Sequence, residues 1–283
     1  MKKNAMHCLP GLLLLAPALA CAQVAASEAA EADAGASHWE AGFAAGGGRL
    51  PDYPGADQSH WRGIVAPVLF YRGPILSVDR TGVRGRVFES PRLQFELTAT
   101  AAFNARSNDA RAGMPDLDYL FGIGPQLVVK NLFDGPGEPS LHLKLRAMYS
   151  TDFHRIDAHG ATFIPELRWR FRAPWPERAS LGFALEPTWA SAAFGRYFYE
   201  VRPDQATPGR PAYRARAGYL GTEATATLTR RESRTLSWFV AATAMSLHGA
   251  ANEASPLLRA RSNFSVGAGV IWTPWQSGAR AGE

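Results

Sequence analysis

Cysteine is nearly missing from this chain: among 283 residues only Cys8 and Cys21 carry a thiol, and both lie at the N-terminal end. The remaining length offers no disulfide, no cysteine metal site and no thiol nucleophile. Long apolar runs are missing as well. Beyond Leu9 to Leu19 no segment approaches the roughly 20 apolar residues of a membrane-spanning helix, and no helical period persists beyond a turn or two. Net charge is small. Removing Lys2 and Lys3 from the 30 cations leaves 28 against 25 carboxylates, a balance too near neutral for a nucleic-acid surface. Neither a GxSxG nor an HExxH arrangement occurs, so no catalytic residue, metal or cofactor is assigned. A hydrolase built on a spatial Ser–His pair at a lipid boundary stays open, because spacing in sequence does not exclude a triad in space.

What is present begins with export. Lys2 and Lys3 precede the apolar run Leu9 to Leu19, and Ala20-Cys21-Ala22 supplies a small-x-small cleavage site, which together read as a secretory signal peptide over 1–22. Lipoprotein processing at Cys21 is the alternative. An Ala/Glu-rich leader over 23–38 is expected to be disordered. Residues 39–275 form one domain, followed by a tail over 276–283.

Strict alternation of residue character dominates that domain. Glu166, Arg168, Arg170 and Arg172 interleave with Leu167, Trp169 and Phe171, so a strand shows charge on one face and large apolar groups on the other. Leu141, Leu143, Leu145 and Tyr149 alternate with His142, Lys144 and Arg146; Phe264, Val266, Ala268, Val270 and Trp272 alternate with Ser265, Gly267, Gly269 and Thr273. No helix is available to cover these apolar faces, so they face lipid. Short turns at Gly73-Pro74, Ser90-Pro91, Asp134 to Pro139, Ala173 to Arg178 and Arg230 to Arg234 alternate with longer segments. The longer ones are Tyr53 to Trp61, Arg106 to Asp118, Thr151 to Gly160, Ala192 to Ala212 and Gly249 to Arg261. Such alternation is the signature of an outer-membrane barrel. Parity then requires a hairpin at Arg80-Thr81-Gly82. The prediction is an all-β, antiparallel transmembrane β-barrel of about 12 strands with both termini periplasmic. The strands fall near 39–49, 62–72, 75–80, 83–89, 92–104, 119–133, 140–150, 161–172, 179–190, 213–229, 235–248 and 262–273.

Several stretches also resemble a known family. LPDYPGAD at 50–57, SVDRTGVRGRVFES at 77–90, NDARAGMPDLD at 108–118 followed by IGP at 123–125, and SWFVAATAMSLHGAANEASPL leading into FSVGAGVIW are similar to the MltA-interacting protein (MipA/OmpV) family of outer-membrane proteins. The resemblance implies a scaffold that bridges a lytic transglycosylase and a peptidoglycan synthase, while other members are described as surface adhesins. The chain departs from that pattern after Trp275, where QSGARAGE replaces the closing aromatic residue.

Two groups of residues are candidate sites. In the family-motif loop, Asn108, Asp109, Arg111, Gly113, Met114, Pro115, Asp116 and Asp118 gather three carboxylates. Their oxygens could hold a divalent cation; the alternative is an external loop folded by its own ion pairs and its Pro/Gly turn. The inward strand faces are expected to carry Arg84, Arg86, Lys144, Arg146, Arg168, Arg170, Arg172, Arg214 and Arg216 with Asp79, Glu96, Glu166, Glu186 and Glu223. Mixed charges at that density are expected to pair across the lumen and close it. Arginine, the dominant cation, suits such a lumen or the phosphates of lipopolysaccharide, and a GC-rich gene would also supply it. The resulting expectation is an outer-membrane binding or scaffold protein in contact with lipid and lipopolysaccharide. A small-solute channel and a surface adhesin are the alternatives.

Overall fold

The computed structural model describes residues 39–72, 76–79, 82–106, 108–134, 137–172 and 179–278. The expected signal peptide and leader, the turns at Gly73-Pro74, Arg80-Thr81 and Ala173 to Arg178, and the end of the tail lie outside them. Among the described residues twelve strands close into a barrel in which each neighbour is antiparallel. They are β1 (Trp39–Pro51), β2 (Ser59–Arg72), β3 (Leu76–Asp79), β4 (Gly82–Glu89), β5 (Leu93–Ala102), β6 (Tyr119–Lys130), β7 (Ser140–Thr151), β8 (Ile156–Arg172), β9 (Ala179–Ala190), β10 (Gly218–Arg231), β11 (Leu236–Ser246) and β12 (Ser262–Gln276). Among the described residues an α-helix, α1 (Ala192–Tyr199), sits in the connection between β9 and β10.

Closure joins β1 to β12 from Glu40↔Gln276 to Arg49↔Val266. Glycines make that seam tight: Gly46 stands opposite Gly269 and Gly48 opposite Gly267, and a Cβ at Gly48 would lie 2.3 Å from the Val266 carbonyl oxygen. Side-chain period 2 sorts every strand into two faces. On β7, His142, Arg146, Met148 and Ser150 are buried inside while Leu145 is half-exposed outside; on β2, Trp61, Val65 and Leu69 point out and Ala66 and Phe70 point in. The outer band of exposed apolar residues ends in aromatic pairs near both rims, among them Phe43–Trp275 and Trp189–Tyr219, as interfacial girdles require.

Two expectations need correction. The segment Thr151 to Gly160 is not a long loop, because Ile156 to Ala158 continue the ladder opposite Tyr149 to Thr151 past a bulge near Ala147, leaving only 152–155 between β7 and β8. β10 begins at Gly218, not at 213. Residues 213–217 are drawn into the loops, where Tyr213 bridges Val201 and Arg216 is held through its backbone by Asn252.

Candidate functional site

The largest apolar core lies at the mouth where the long connections meet. Tyr53 and Ala56 from the β1–β2 loop, Ala105 and Leu117 from β5–β6, Phe194, Phe198, Tyr199 and Ala215 from β9–β10, and Leu247, Ala250 and Leu258 from β11–β12 pack together. They rest on the inward residues Leu120, Met148, Leu220 and Met245 of the strand ends. The external loops therefore form one packed cap. Helix α1 starts because Ser191 accepts a hydrogen bond from the Phe194 amide, and its buried aromatic face supplies the centre of that core.

Polar clasps tie the cap together. Tyr53 donates to the Leu257 carbonyl at 2.8 Å, Tyr199 to Pro54 at 2.9 Å, and Ser255 to Tyr199 at 2.8 Å. Burial pushes the Tyr53 hydroxyl up to about 12, an effect partly offset by Arg111. It also raises Tyr197 and Tyr199 and lowers Arg111 from its usual range. The buried carboxylate of Asp52 gathers His60 Nδ1 at 2.7 Å, Arg62 Nη2 at 2.6 Å and Asn108 Nδ2 at 2.8 Å. One carboxylate thus joins the first external loop, β2 and the motif loop.

The motif loop is a structural part of this cap. Asn108 caps a short turn through the Ala110 amide, Asp109 accepts from Gln58 at 2.9 Å, and Arg111 donates to the Phe198 carbonyl at 3.0 Å and to Pro115. Met114 packs on Ala110, Val201 and Leu257. Gly113 holds φ +75, with open space around a Cβ there, so it serves the turn itself. Pro115 and Asp116 are exposed, and Asp118 faces Arg155 at 4.0 Å. The loop is therefore fixed by long-range hydrogen bonds and not by ion pairs of its own. Asp109 and Asp118 are directed to different partners while Asp116 is exposed, and among the described residues no three His, Cys, Asp or Glu side chains converge.

On the inner wall, Lys144 lies 2.5 Å from Glu166 and 2.9 Å from Glu186, and Arg168 pairs with Glu166. Arg146 donates to Gln126 at 3.1 Å, and Gln126 to Glu96 at 3.4 Å. Arg170 reaches Glu138 in the β7 entry turn. Arg86 stands opposite Glu96 and Arg84 opposite Thr98 in register; the side chains of Arg84 and Arg86, like that of Asp79, lie outside the described residues. The pairs that are described lie within a strand or reach one or two strands along the wall, from β5 to β9. Arg214 and Arg216 are not part of this wall: both are exposed in the cap, ahead of β10. The wall from β10 to β1 carries mainly hydroxyls and glycines, with Thr225, Thr227, Thr229, Ser237 and Thr273 buried on it beside the carboxylates of Glu40 and Glu223. Asp52, Arg62, Tyr199 and Asn252, which carry the cap, had no spacing signal in the sequence. The aromatic run Phe194 to Tyr199 was the one available hint.

Ser–His contacts do occur, Ser150 with His159 at 2.8 Å and Ser140 with His142 at 3.0 Å. Neither stands at the outer lipid boundary. Ser150 is buried, and the His159 ring packs 4.3 Å from Tyr197 of α1, so this pair seats the cap on the barrel.

A family model described as MltA-interacting protein MipA matches residues 43–274. No curated protein matches the chain. Among solved structures, a NanC porin in a rhombohedral crystal form is similar at TM-score 0.38 and 8% identity, covering 82% of this chain and 100% of that one. The toluene transporter TbuX of Ralstonia pickettii is similar at TM-score 0.24 and 7% identity, covering 87% and 72%. At these scores neither adds to the fold, which stands on its own strand register.

Proposed function

The chain belongs to the MltA-interacting protein MipA family of outer-membrane β-barrels, and from that membership and its two unlike ends we propose that it is a non-catalytic scaffold for cell-wall enzymes. After export and signal-peptide removal, its periplasmic face would bind a lytic transglycosylase, the kind of partner in the family's description, and a peptidoglycan synthase, as the family resemblance implies. The packed external cap is the observation that carries this reading. A mouth filled by Tyr53, Phe194, Phe198 and Leu258 suits a closed binding protein better than a solute channel.

Murein lies in the periplasm, so the motif loop, on the external side, is not the contact. The short turns are. Among these, the turn after β6 presents Leu132 and Phe133 exposed, with Phe133 leaning 6.4 Å from Trp169. Aromatic anchors of this kind are enriched in binding hot spots. A photo-crosslinking residue placed at Phe133 in intact cells should capture a lytic transglycosylase, and one at Pro208 in the cap should not. Capture from Pro208 alone, or none from Ser90, Phe133 and Ser233, would refute the scaffold reading.

A further inference from the structure

β2 is paired along its length on one side only. It runs with β1 from Ser59 to Tyr71, whereas β3 has four residues and meets β2 at Tyr71 and Arg72. β4 in turn meets β5 only as far as Thr98. From Ser59 to Pro67, therefore, β2 has no strand on its second side among the described residues. Near its external end the slot is bridged on the inward side, where Arg62 donates to the Asn104 carbonyl and lies over the Phe103 ring. Trp61 and Val65 stand outward beside it, each 76% exposed and above every other large apolar side chain among the described residues. Arg49 is the cross-strand neighbour of Trp61 on the same outward face. Arg106 follows Asn104 by two residues on the far side of the slot. Both arginines are exposed and form no ion pair among the described residues.

Free strand edges are not tolerated against hydrocarbon, because acyl chains cannot satisfy N–H and C=O groups. The occupant must carry polar groups at the upper edge and hydrocarbon below. Two separated arginines flanking an exposed indole fit a sugar with phosphates at both ends. Deeper in the slot Pro67 has no N–H, which removes one donor where none could be satisfied. We propose that this slot binds the lipid A moiety of lipopolysaccharide from the outer leaflet. Its phosphates bind Arg49 and Arg106, its amide and hydroxyl groups pair with the β2 edge near Ser59 to Gly63, and an acyl chain lies along Val65 and Pro67. The inference rests on the outer-membrane location and not on the murein partner, so crosslinking from Phe133 is unaffected by its failure.

The test is native mass spectrometry of the full chain purified in detergent, with bisphosphorylated lipid A, monophosphoryl lipid A or phosphatidylglycerol added, alongside amide hydrogen exchange. Bisphosphorylated lipid A should be retained best and should slow exchange over 59–67. Arg49→Ala with Arg106→Ala should weaken retention about tenfold, while Arg92→Ala with Arg234→Ala, exposed cations of the periplasmic rim, should change nothing. Equal retention of phosphatidylglycerol, equal loss in the rim variant, or unchanged exchange over 59–67 in the unmodified protein would overturn the proposal. The exchange measurement holds even if the double variant fails to fold.

Discussion

At the scale of single residues, Asp52 is the most consequential side chain in the cap. Its carboxylate is fully enclosed and satisfies Arg62, His60 and Asn108 together. Asp52→Ala would leave the Arg62 guanidinium without its counter-ion, a change of about 3–5 kcal/mol when such a pair is buried. Limited proteolysis should then cut the external loops while the strands resist; Asp109→Ala, which removes an exposed carboxylate, should leave the loops intact. The cap tyrosines add a pH dependence. Tyr53 ordinarily ionises near 10.0 and is pushed up to about 12 by burial, so the folded cap keeps a proton that the open cap releases. The stability this contributes is complete below pH 10 and is lost as pH rises toward 12. Ultraviolet titration should show tyrosinate forming late in the intact protein, together with loss of loop protection. Ionisation of every tyrosine near its ordinary value, with the loops still protected, would contradict this.

At the scale of elements, the two faces of β7 make opposite demands. Leu143→Arg places a cation against lipid, at about 2–4 kcal/mol near mid-membrane, and should prevent folding into bilayers far more than Arg146→Leu does. Equal tolerance of both, measured by the mobility shift of folded barrel on unheated gels, would mean the faces are reversed. Strands were legible because period 2 is a local property: β9 begins and ends where alternation places it, at Ala179 and Ala190, and the β3–β4 hairpin followed from loop parity. Loop structure was not legible in the same way. β8 gains residues from Ile156 onward because its ladder with β7 survives a bulge, and a bulge breaks the very alternation that marks a strand. Arg214 and Arg216 sit in an alternating stretch, yet Asn252 from another loop holds that backbone in the cap. Contacts between residues 36 apart leave no periodic trace. The motif loop stood out in sequence, but its role as a clasp depends on partners as distant as Phe198.

At the scale of the molecule, apolar packing fills one mouth of the barrel, and the charge pairs of the described residues run along its wall. Lys144, Glu166, Glu186 and Arg168 neutralise one another along the wall, so removing Arg168 alone would not open a path past the cap. With that mouth filled, the two ends and the outer wall remain for binding, as the proposed scaffold role requires. Planar-bilayer recording of the purified, unmodified protein is the most direct measurement of this closed state. It should show no steady unitary current, and deletion of 192–212, which removes α1 and its aromatic face, should produce one. Large, stable currents from the unmodified protein would instead mean that the cap does not seal the lumen and that the barrel is a channel.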